Sequence, residues 1–364
     1  MGTGAQQRRG AMPRDYGAPE PPPAEVEAER EEPRFTPAPA PAAPEPPREA
    51  EERTPAAAGP AAPMTRGDVY RRPMTAGRAT PSGPFARLSA AVRNGLKGKL
   101  EQHEEHVDAQ LRALSGVSRP NVIAVVSPKG GVGKTTTSFL LGNLIAQSLK
   151  LRVVAVDANP DFGTLAALAP DEDRAQRSQI DLLEAADTIQ TGAELHPYVS
   201  RLPTGLHLLG APARAELMAQ MTPERYDELL TLLRRFYEVI VLDLGTGITD
   251  PIAQFATRQA DQVAVVATPE WITAANVLGA LRYLDLDQAA LVLNQAPTGR
   301  AANGSREVIE ANFRRQAISN RVTIPYDEQL RSMLDSGTYD LNALARATRV
   351  PVKELGLTVG RALV

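Results

Sequence analysis

Short apolar runs alternate with amphipathic stretches from residue 118 to about residue 360. The runs are rich in Val, Ile and Leu, and their lengths suit strands that are buried on both faces of a sheet. The predicted strands are 121–126, 151–156, 205–209, 239–242, 262–267, 290–293 and 321–324. Helical periodicity lies between them, most clearly at 223–235, after the N-cap residue Thr222, and at 272–284. The alternation predicts an α/β fold with a mainly parallel, doubly wound sheet.

Residues 1–84 lack the apolar side chains that a core requires. They hold more than half of the chain's 31 prolines and contain neither Leu nor Ile. Such a segment cannot offset the entropy of ordering itself, so we expect a long disordered arm, rich in Pro and Ala and also in Glu and Arg. A spacer and a ligand for a partner protein are both open interpretations of this arm.

Residues 85–117 form a predicted helical linker between the arm and a domain that covers 118–364. One helical face of the linker is apolar and is flanked by basic residues, with the apolar positions at Phe85, Leu88, Val92, Leu96 and Leu100. We favour a helix that packs this face on the following domain, and the alternative is a surface for lipid, nucleic acid or a protein partner. The C-terminal tail has a similar apolar face, for which core packing is favoured over a membrane anchor.

Composition excludes several classes of site. The net charge of −3 provides no whole-molecule attraction to nucleic acid or to an anionic membrane. The chain has no cysteine, which excludes disulfides, thiolate zinc sites and iron–sulfur clusters. No apolar run approaches the roughly 20 residues that a membrane span requires. We therefore expect a soluble cytoplasmic protein, and recruitment to a membrane by a partner stays open.

A glycine-rich loop follows the predicted strand 121–126 and leads into helical periodicity. It reads Lys129-Gly130-Gly131-Val132-Gly133-Lys134-Thr135-Thr136. Glycines allow backbone N–H groups to surround an anion, and the N-terminus of the helix adds its positive dipole end. In such a loop Lys134 would reach the β- and γ-phosphates, Thr135 would bind Mg²⁺, and Thr136 would lie near the α-phosphate. The loop predicts ATP and Mg²⁺ as cofactors, although Pro128 replaces the first glycine of the usual P-loop pattern.

The two lysines of this loop resemble the deviant Walker A motif of the MinD/ParA ATPases, a family of P-loop NTPases. The resemblance covers about residues 118–360. It implies that Lys129 reaches across a dimer interface to the nucleotide of the partner chain. ATP would then hold a homodimer together, and hydrolysis would be slow.

Two predicted strands end in carboxylates. The strand that finishes in Asp243 has the Walker B form, so Asp243 should bind the Mg²⁺ shell, and Leu244-Gly245-Thr246-Gly247 after it could act as a switch. Asp157 resembles the first acid of the family's switch I, which contacts the water shell of the metal. The family's second acid orients the attacking water, but this chain has Asn159 at that position. Asp161 is a candidate to take over part of this role, although Pro160 between the two residues restricts the conformation of the loop.

Three later residues resemble the family's contacts with the adenine base. Asn294 follows a predicted strand and could both donate to and accept from a base in its plane. Pro325 and Asp327 resemble the loop that closes over the same base. Asn and Pro also suit turns that bind no ligand.

A narrower resemblance concerns the process that the chain serves. The segment 156–165, the switch after Asp243 and the proline-rich arm look most like the EspI-like ATPases associated with type VII secretion in actinobacteria. We therefore expect a slow ATPase that acts as a molecular switch in secretion or in intracellular positioning, with a protein partner bound through residues 1–100. The alternatives are a ParA-type DNA-partitioning ATPase and a nucleotide-holding scaffold with little turnover. DNA and membrane are the less favoured partners.

Overall fold

A computed structural model of the chain describes residues 84–114, 116–160, 163–280, 284, 289–297 and 320–364. Within these ranges it describes the side chains other than those of 84–97, 271, 272, 274 and 278. The predicted disordered arm up to residue 83 and the candidate Asp161 lie outside the described residues.

The described strands form one eight-stranded sheet, in the order β3-β4-β2-β5-β1-β6-β7-β8. Their bounds are β1 Asn121–Ser127, β2 Val153–Ala158, β3 Val199–Arg201, β4 Leu206–Leu209, β5 Val239–Thr246, β6 Gln262–Ala267, β7 Ala289–Ala296 and β8 Arg321–Pro325. Neighbouring strands pair in parallel, except that β3 pairs with β4 in antiparallel orientation. The prediction of a mainly parallel sheet is confirmed.

Helices cover both faces of this sheet. Their bounds are α1 Pro84–Ala113, α2 Lys134–Leu149, α3 Gln179–Glu184, α4 Ala215–Met218, α5 Pro223–Leu233, α6 Pro251–Gln259, α7 Trp271–Ala280, α8 Glu328–Asp335 and α9 Arg346–Leu363. Alternate residues of β1 belong to two separate core clusters, since Val122 and Ala124 pack on one face and Ile123 and Val125 on the other. This is the doubly wound arrangement that continuous apolar strands predict.

The structure differs from the sequence-based strands in several bounds and in one additional strand. Strand β2 continues to Ala158, β5 to Thr246 and β7 to Ala296, so Asp157, Asp243 and Asn294 lie within strands and not after their ends. Strand β3, with only three residues, was not predicted, because so short a segment shows no clear periodicity. In contrast, the N-cap of α5 is confirmed, since the Thr222 hydroxyl accepts a hydrogen bond from the backbone N–H of Arg225.

Helix α9 packs between α2 and α1. Its residues Val352, Leu355, Val359 and Leu363 are all buried, which confirms the core packing expected of the tail. At Gly356 a Cβ atom would collide with the end of the Leu144 side chain in α2, so any larger residue there would force Leu144 to shift.

The described part of α1 lies against the other side of α9. Val107 and Leu111 of α1 are buried in a small apolar cluster with Leu357. Polar contacts extend this interface, since Glu104 accepts hydrogen bonds from basic side chains of α9. Among the described residues, no helix is both long enough and apolar enough to cross a membrane.

Candidate nucleotide site

The glycine-rich loop joins β1 to α2 at the edge of the sheet where the parallel strands end. Gly131 and Gly133 have φ angles of +74° and +92°, a region that residues with a Cβ atom rarely adopt. A Cβ atom on Gly133 would also collide with the side-chain amide of Asn294. Because α2 begins at Lys134, the free N–H groups of its first turn face the loop. The loop therefore has the conformation and the dipole of an anion site.

Asp157 and Asp243 lie side by side next to this loop. They are paired in the register of β2 and β5, and Asp243 is paired with Val125 on β1. Both carboxylates are at most 1% exposed. Oδ1 of Asp243 accepts a hydrogen bond of 3.0 Å from the Ser138 hydroxyl. The carboxylate of Asp157 accepts from the backbone N–H groups of Asn159 at 3.2 Å and Leu165 at 2.9 Å.

Burial dominates the electrostatics of these acids. Burial raises the pKa of Asp157 to about 7, with a further contribution from the charge of Asp243. Burial also raises the pKa of Asp243 to about 6, against the opposing effects of hydrogen bonds from Thr135 and Ser138 and the charge of Lys134. The pKa of Lys134 is in turn lowered by burial, which the charge of Asp243 partly offsets. Lys134 thus acts on Asp243, beside which Asp157 is also enclosed, and a bound cation would complement this pair of carboxylates.

The donor set beside the loop fits Mg²⁺. The hydroxyl of Thr135 is hydrogen-bonded to Asp243, so the hydroxyl and carboxylate oxygens predicted to hold the metal are adjacent. Mg²⁺ prefers oxygen ligands and usually completes its shell with water and substrate phosphates. Among the described residues there is no group of three or more His, Asp or Glu side chains suited to a metal ion. A metal at this position would accordingly depend on phosphate oxygens of the nucleotide.

The two segments that resemble switches are in contact with each other. A Cβ atom on Gly245 would lie 2.5 Å from Cδ of Pro160 and 3.0 Å from Oδ1 of Asn159. A Cβ atom on Gly130 would likewise lie 3.4 Å from Cγ2 of Thr246. The structure therefore brings the loop, the segment after β2 and the end of β5 together at one place.

Lys129 makes its polar contacts within its own chain. Its Nζ atom donates to Oε2 of Glu270 at 3.0 Å and to Oγ1 of Thr273 at 3.1 Å. Sequence reasoning missed both of these partners. A signal was available, because an acid and a hydroxyl residue soon after a predicted strand are expected near the phosphate loop if that strand neighbours β1.

The residues predicted to contact the base lie in two places. Asn294 is 4% exposed, and its side-chain amide donates to the Val132 carbonyl in the glycine-rich loop at 2.9 Å. Gln295, which sequence reasoning missed, donates to the Gly131 carbonyl at 3.3 Å. Pro325 ends β8, and Asp327 caps α8 by accepting from the backbone N–H of Gln329. The other carboxylate oxygen of Asp327 is buried and has no hydrogen-bond partner among the described residues.

Two known proteins are similar in sequence to part of this chain. The chain is 28% identical over 220 residues to the ESX-1 secretion-associated protein EspI of Mycobacterium tuberculosis, a match that covers 57% of this chain and 32% of EspI. It is 31% identical over 177 residues to the septum site-determining protein MinD of Synechocystis, covering 48% of this chain and 64% of that MinD. The chain thus spans about a third of EspI and less than two thirds of this MinD.

Solved structures have the same fold. A ParA family ATPase from Chlorobium tepidum matches with a TM-score of 0.53 and 23% identity, over 64% of this chain and 96% of that one. MinD of Pyrococcus horikoshii, complexed with Mg-ADP, matches with a TM-score of 0.50 and 18% identity, over 65% of this chain and 94% of that one. The family model described as the CobQ/CobB/MinD/ParA nucleotide binding domain matches residues 123–339, more than half of the chain. The chain belongs to the CobQ/CobB/MinD/ParA family of nucleotide-binding domains.

Proposed function

We propose that this chain binds ATP with Mg²⁺, forms a homodimer in that state, and hydrolyses ATP slowly as a molecular switch. The observation that carries the proposal is the meeting of a two-lysine phosphate loop with the neighbouring buried carboxylates Asp157 and Asp243. The match to a family of nucleotide-binding domains supports a nucleotide as the ligand of this arrangement.

Each residue of the site has a proposed role. Backbone N–H groups from Gly130 to Gly133, with the first turn of α2, would hold the phosphates. Lys134 would neutralise the β- and γ-phosphates, and Thr136 would lie near the α-phosphate. Thr135 and Asp243 would hold Mg²⁺, which stabilises charge on the phosphate oxygens when it is bound, and Asp157 would orient its water shell. Asn294, Pro325 and Asp327 would border the base.

Slow turnover is proposed from Asn159. A neutral amide accepts a hydrogen bond from water less strongly than a carboxylate does, and it adds no negative charge that would attract the departing proton. The backbone N–H of Asn159 is bonded to Asp157, so the residue lies close to the proposed metal site. The expected consequence is a long-lived ATP state, which suits a switch better than a high-turnover enzyme.

The cellular process is proposed from the relatives. EspI is named as associated with ESX-1 secretion, and the MinD relatives are named as determining the septum site. We therefore propose a role in type VII-like secretion or in intracellular positioning, with a protein partner bound through residues 1–100. The test is to purify the ATP-bound form and to identify what it retains. Retention of DNA that is lost steeply with added salt would favour a partitioning ATPase instead.

Dimerisation provides the direct biochemical test. Light scattering should show a monomer without nucleotide and a dimer with ATP and Mg²⁺. Lys129→Ala should abolish the dimer and spare nucleotide binding, because Lys129 is proposed to act on the phosphates of the partner. Lys99→Ala, at an exposed lysine of α1, is the matched control and should dimerise normally. A Lys129→Ala protein that still dimerises would contradict the proposed role.

A further inference from the structure

Strands β1 and β6 place two connections next to each other. They are parallel neighbours, with Ile123 to Val126 paired with Gln262 to Val265. The phosphate loop leaves the end of β1, and the segment that contains Glu270 leaves the end of β6 and enters α7. The position of Lys129 relative to Glu270 is therefore a consequence of sheet order.

The contact with Lys129 involves a small polar network. Oγ1 of Thr273 is fully buried, accepts from the Thr268 hydroxyl at 3.1 Å, and donates to Oε2 of Glu270 at 3.4 Å. Both Thr273 and Glu270 accept from Nζ of Lys129. The backbone of Lys129 is fixed independently, because its N–H donates to the Ser127 hydroxyl at 3.2 Å. Only the flexible side chain of Lys129 would have to move for the contact to open.

We infer that Glu270 and Thr273 hold Lys129 in its own chain until a nucleotide-loaded partner displaces them, and that this contact suppresses dimerisation when ATP is scarce. The inference rests on the proposed function, in which Lys129 acts across the dimer. In the proposed dimer, the ammonium group leaves Glu270 and Thr273 to reach the phosphates of the second chain. Formation of the dimer would then break the contact in both protomers.

The strength of the contact suits a reversible latch. The side chains of Lys129 and Glu270 are 40% and 66% exposed, so water screens their attraction. An exposed pair of this kind changes an equilibrium by roughly twofold to fivefold. A triphosphate carries more negative charge than one carboxylate, so it can compete for Lys129, whereas an empty site cannot.

The first test measures the contact itself in the full-length protein without nucleotide. Acetylation of lysines, followed by mass spectrometry, gives the reaction rate of Lys129 relative to that of the exposed Lys150 as an internal reference. Glu270→Gln should raise the relative rate of Lys129 about twofold to fivefold, because the charge that holds the ammonium group is removed. Adding Thr273→Val should raise it further. An unchanged rate in both variants would overturn the inference, whether or not the protein dimerises.

The second test is a titration of dimerisation with ATP and Mg²⁺. Because two contacts break per dimer, Glu270→Gln should raise the dimerisation constant by roughly 4- to 25-fold, the square of the effect on one exposed pair. Combining it with Lys129→Ala should give no dimer, because the gain depends on a Lys129 side chain that can reach the partner. Glu238→Gln is the control and should dimerise as the wild type does. It disrupts the pair with Arg152, which lies where β2 and β5 begin, at the opposite end of the strands from the phosphate loop.

The outcomes separate this inference from the proposed function. Weaker or unchanged dimerisation of Glu270→Gln, with a wild type that dimerises normally, would overturn the latch and leave the proposed function in place. A wild type that stays monomeric while Glu270→Gln dimerises would support the latch. If neither protein dimerises at any ATP concentration, both the proposed dimer and the suppression by Glu270 are wrong.

Discussion

Among the residues that the structure describes, buried acids occur in two regions, and their surroundings shift their pKa values in opposite directions. Beside the phosphate loop, the pKa of Asp157 is raised to about 7 and that of Asp243 to about 6, mainly by burial. Between α1 and α9, the pKa of Glu104 is lowered to about 2, first by its hydrogen bond with Arg349. The side chain of Glu104 is only 10% exposed, so burial alone does not account for the difference.

The difference is in the number of cationic partners. Glu104 accepts from Nε of Arg346 at 2.8 Å, Nε of Arg349 at 2.6 Å and Nζ of Lys353 at 2.8 Å, a group that we call the helix clamp. We call Asp157 and Asp243 the site carboxylates. The charge of Lys134 lowers the pKa of Asp243, but this effect is smaller than that of burial. The clamp is complete within the chain and holds two helices together, whereas the site carboxylates carry a cost that a bound cation would relieve.

Asp243→Asn should break the comparison most strongly. Phosphate release in a single turnover should fall roughly 100-fold or more, because the metal's stabilisation of phosphate charge is worth several kcal/mol. The free energy of unfolding without nucleotide should rise by about 1–3 kcal/mol at pH 8, since a buried charge with a raised pKa is removed. Urea unfolding checks the second effect. Ser138→Ala, which keeps the charge and removes one hydrogen bond to it, should lower stability instead. A less stable Asp243→Asn protein would contradict this account.

Glu104→Gln should have the opposite effect on stability. It leaves the basic side chains of the helix clamp without their central charge, so the free energy of unfolding should fall by about 3 kcal/mol. Affinity for ATP should be unchanged, because the hydrogen bonds of the clamp join α1 to α9 and involve no residue of the phosphate loop. Urea unfolding and hydrogen exchange in α1 measure the effect. Glu101→Gln removes an exposed partner of Arg346 and should cost less than about 1 kcal/mol. Equal losses in the two variants would show that the clamp is not centred on Glu104.

Acid should open the helix clamp over a defined range. The folded-state pKa of Glu104 is depressed to about 2 from its ordinary value of 4.5, so its contribution to stability is complete above 4.5 and is lost as pH falls towards 2. The stability difference between wild type and Glu104→Gln should therefore shrink between those two pH values. Denaturant unfolding at a series of pH values measures that difference. A constant difference over the whole range would contradict the assigned pKa.

Asn159→Asp adds a third acid beside the site carboxylates and therefore extends the comparison. Its expected effect on the rate of phosphate release is smaller than that of Asp243→Asn. If a carboxylate there orients the attacking water, phosphate release in a single turnover should rise about tenfold, less than the roughly 10²- to 10⁴-fold that general acid–base catalysis typically contributes. Asp161→Ala should lower the rate if Asp161 substitutes in part. Flat rates in both variants would remove these residues from the catalytic step and leave it to Lys129 and to Gly245-Thr246-Gly247.

Local sequence predicted the parts of the fold that depend on local interactions. The seven predicted strands all occur, and β6 has the predicted bounds of 262–267, because a strand buried on both faces leaves a continuous apolar run. Gly131 and Gly133 were recognisable since their backbone conformations require glycine. Strand β3 was missed because its three residues are stabilised by pairing with β4, a contact that no short pattern records.

The sequence by itself determined the alternation of strands and helices, the phosphate loop, and the acids that lie in β2 and β5. Only the tertiary structure decided that Glu104 lies among several basic side chains while Asp157 and Asp243 are buried side by side, and where Lys129 makes its contacts. Glu104 and Arg349 are separated by more than 240 residues in the chain, so their hydrogen bond forms only when α1 packs on α9. Lys129 meets Glu270 because β6 is the neighbour of β1 in the sheet. Both the pKa of an acid and the partner of a lysine depend on groups within a few ångströms in space, and the order of strands and helices, not proximity in sequence, brings those groups together.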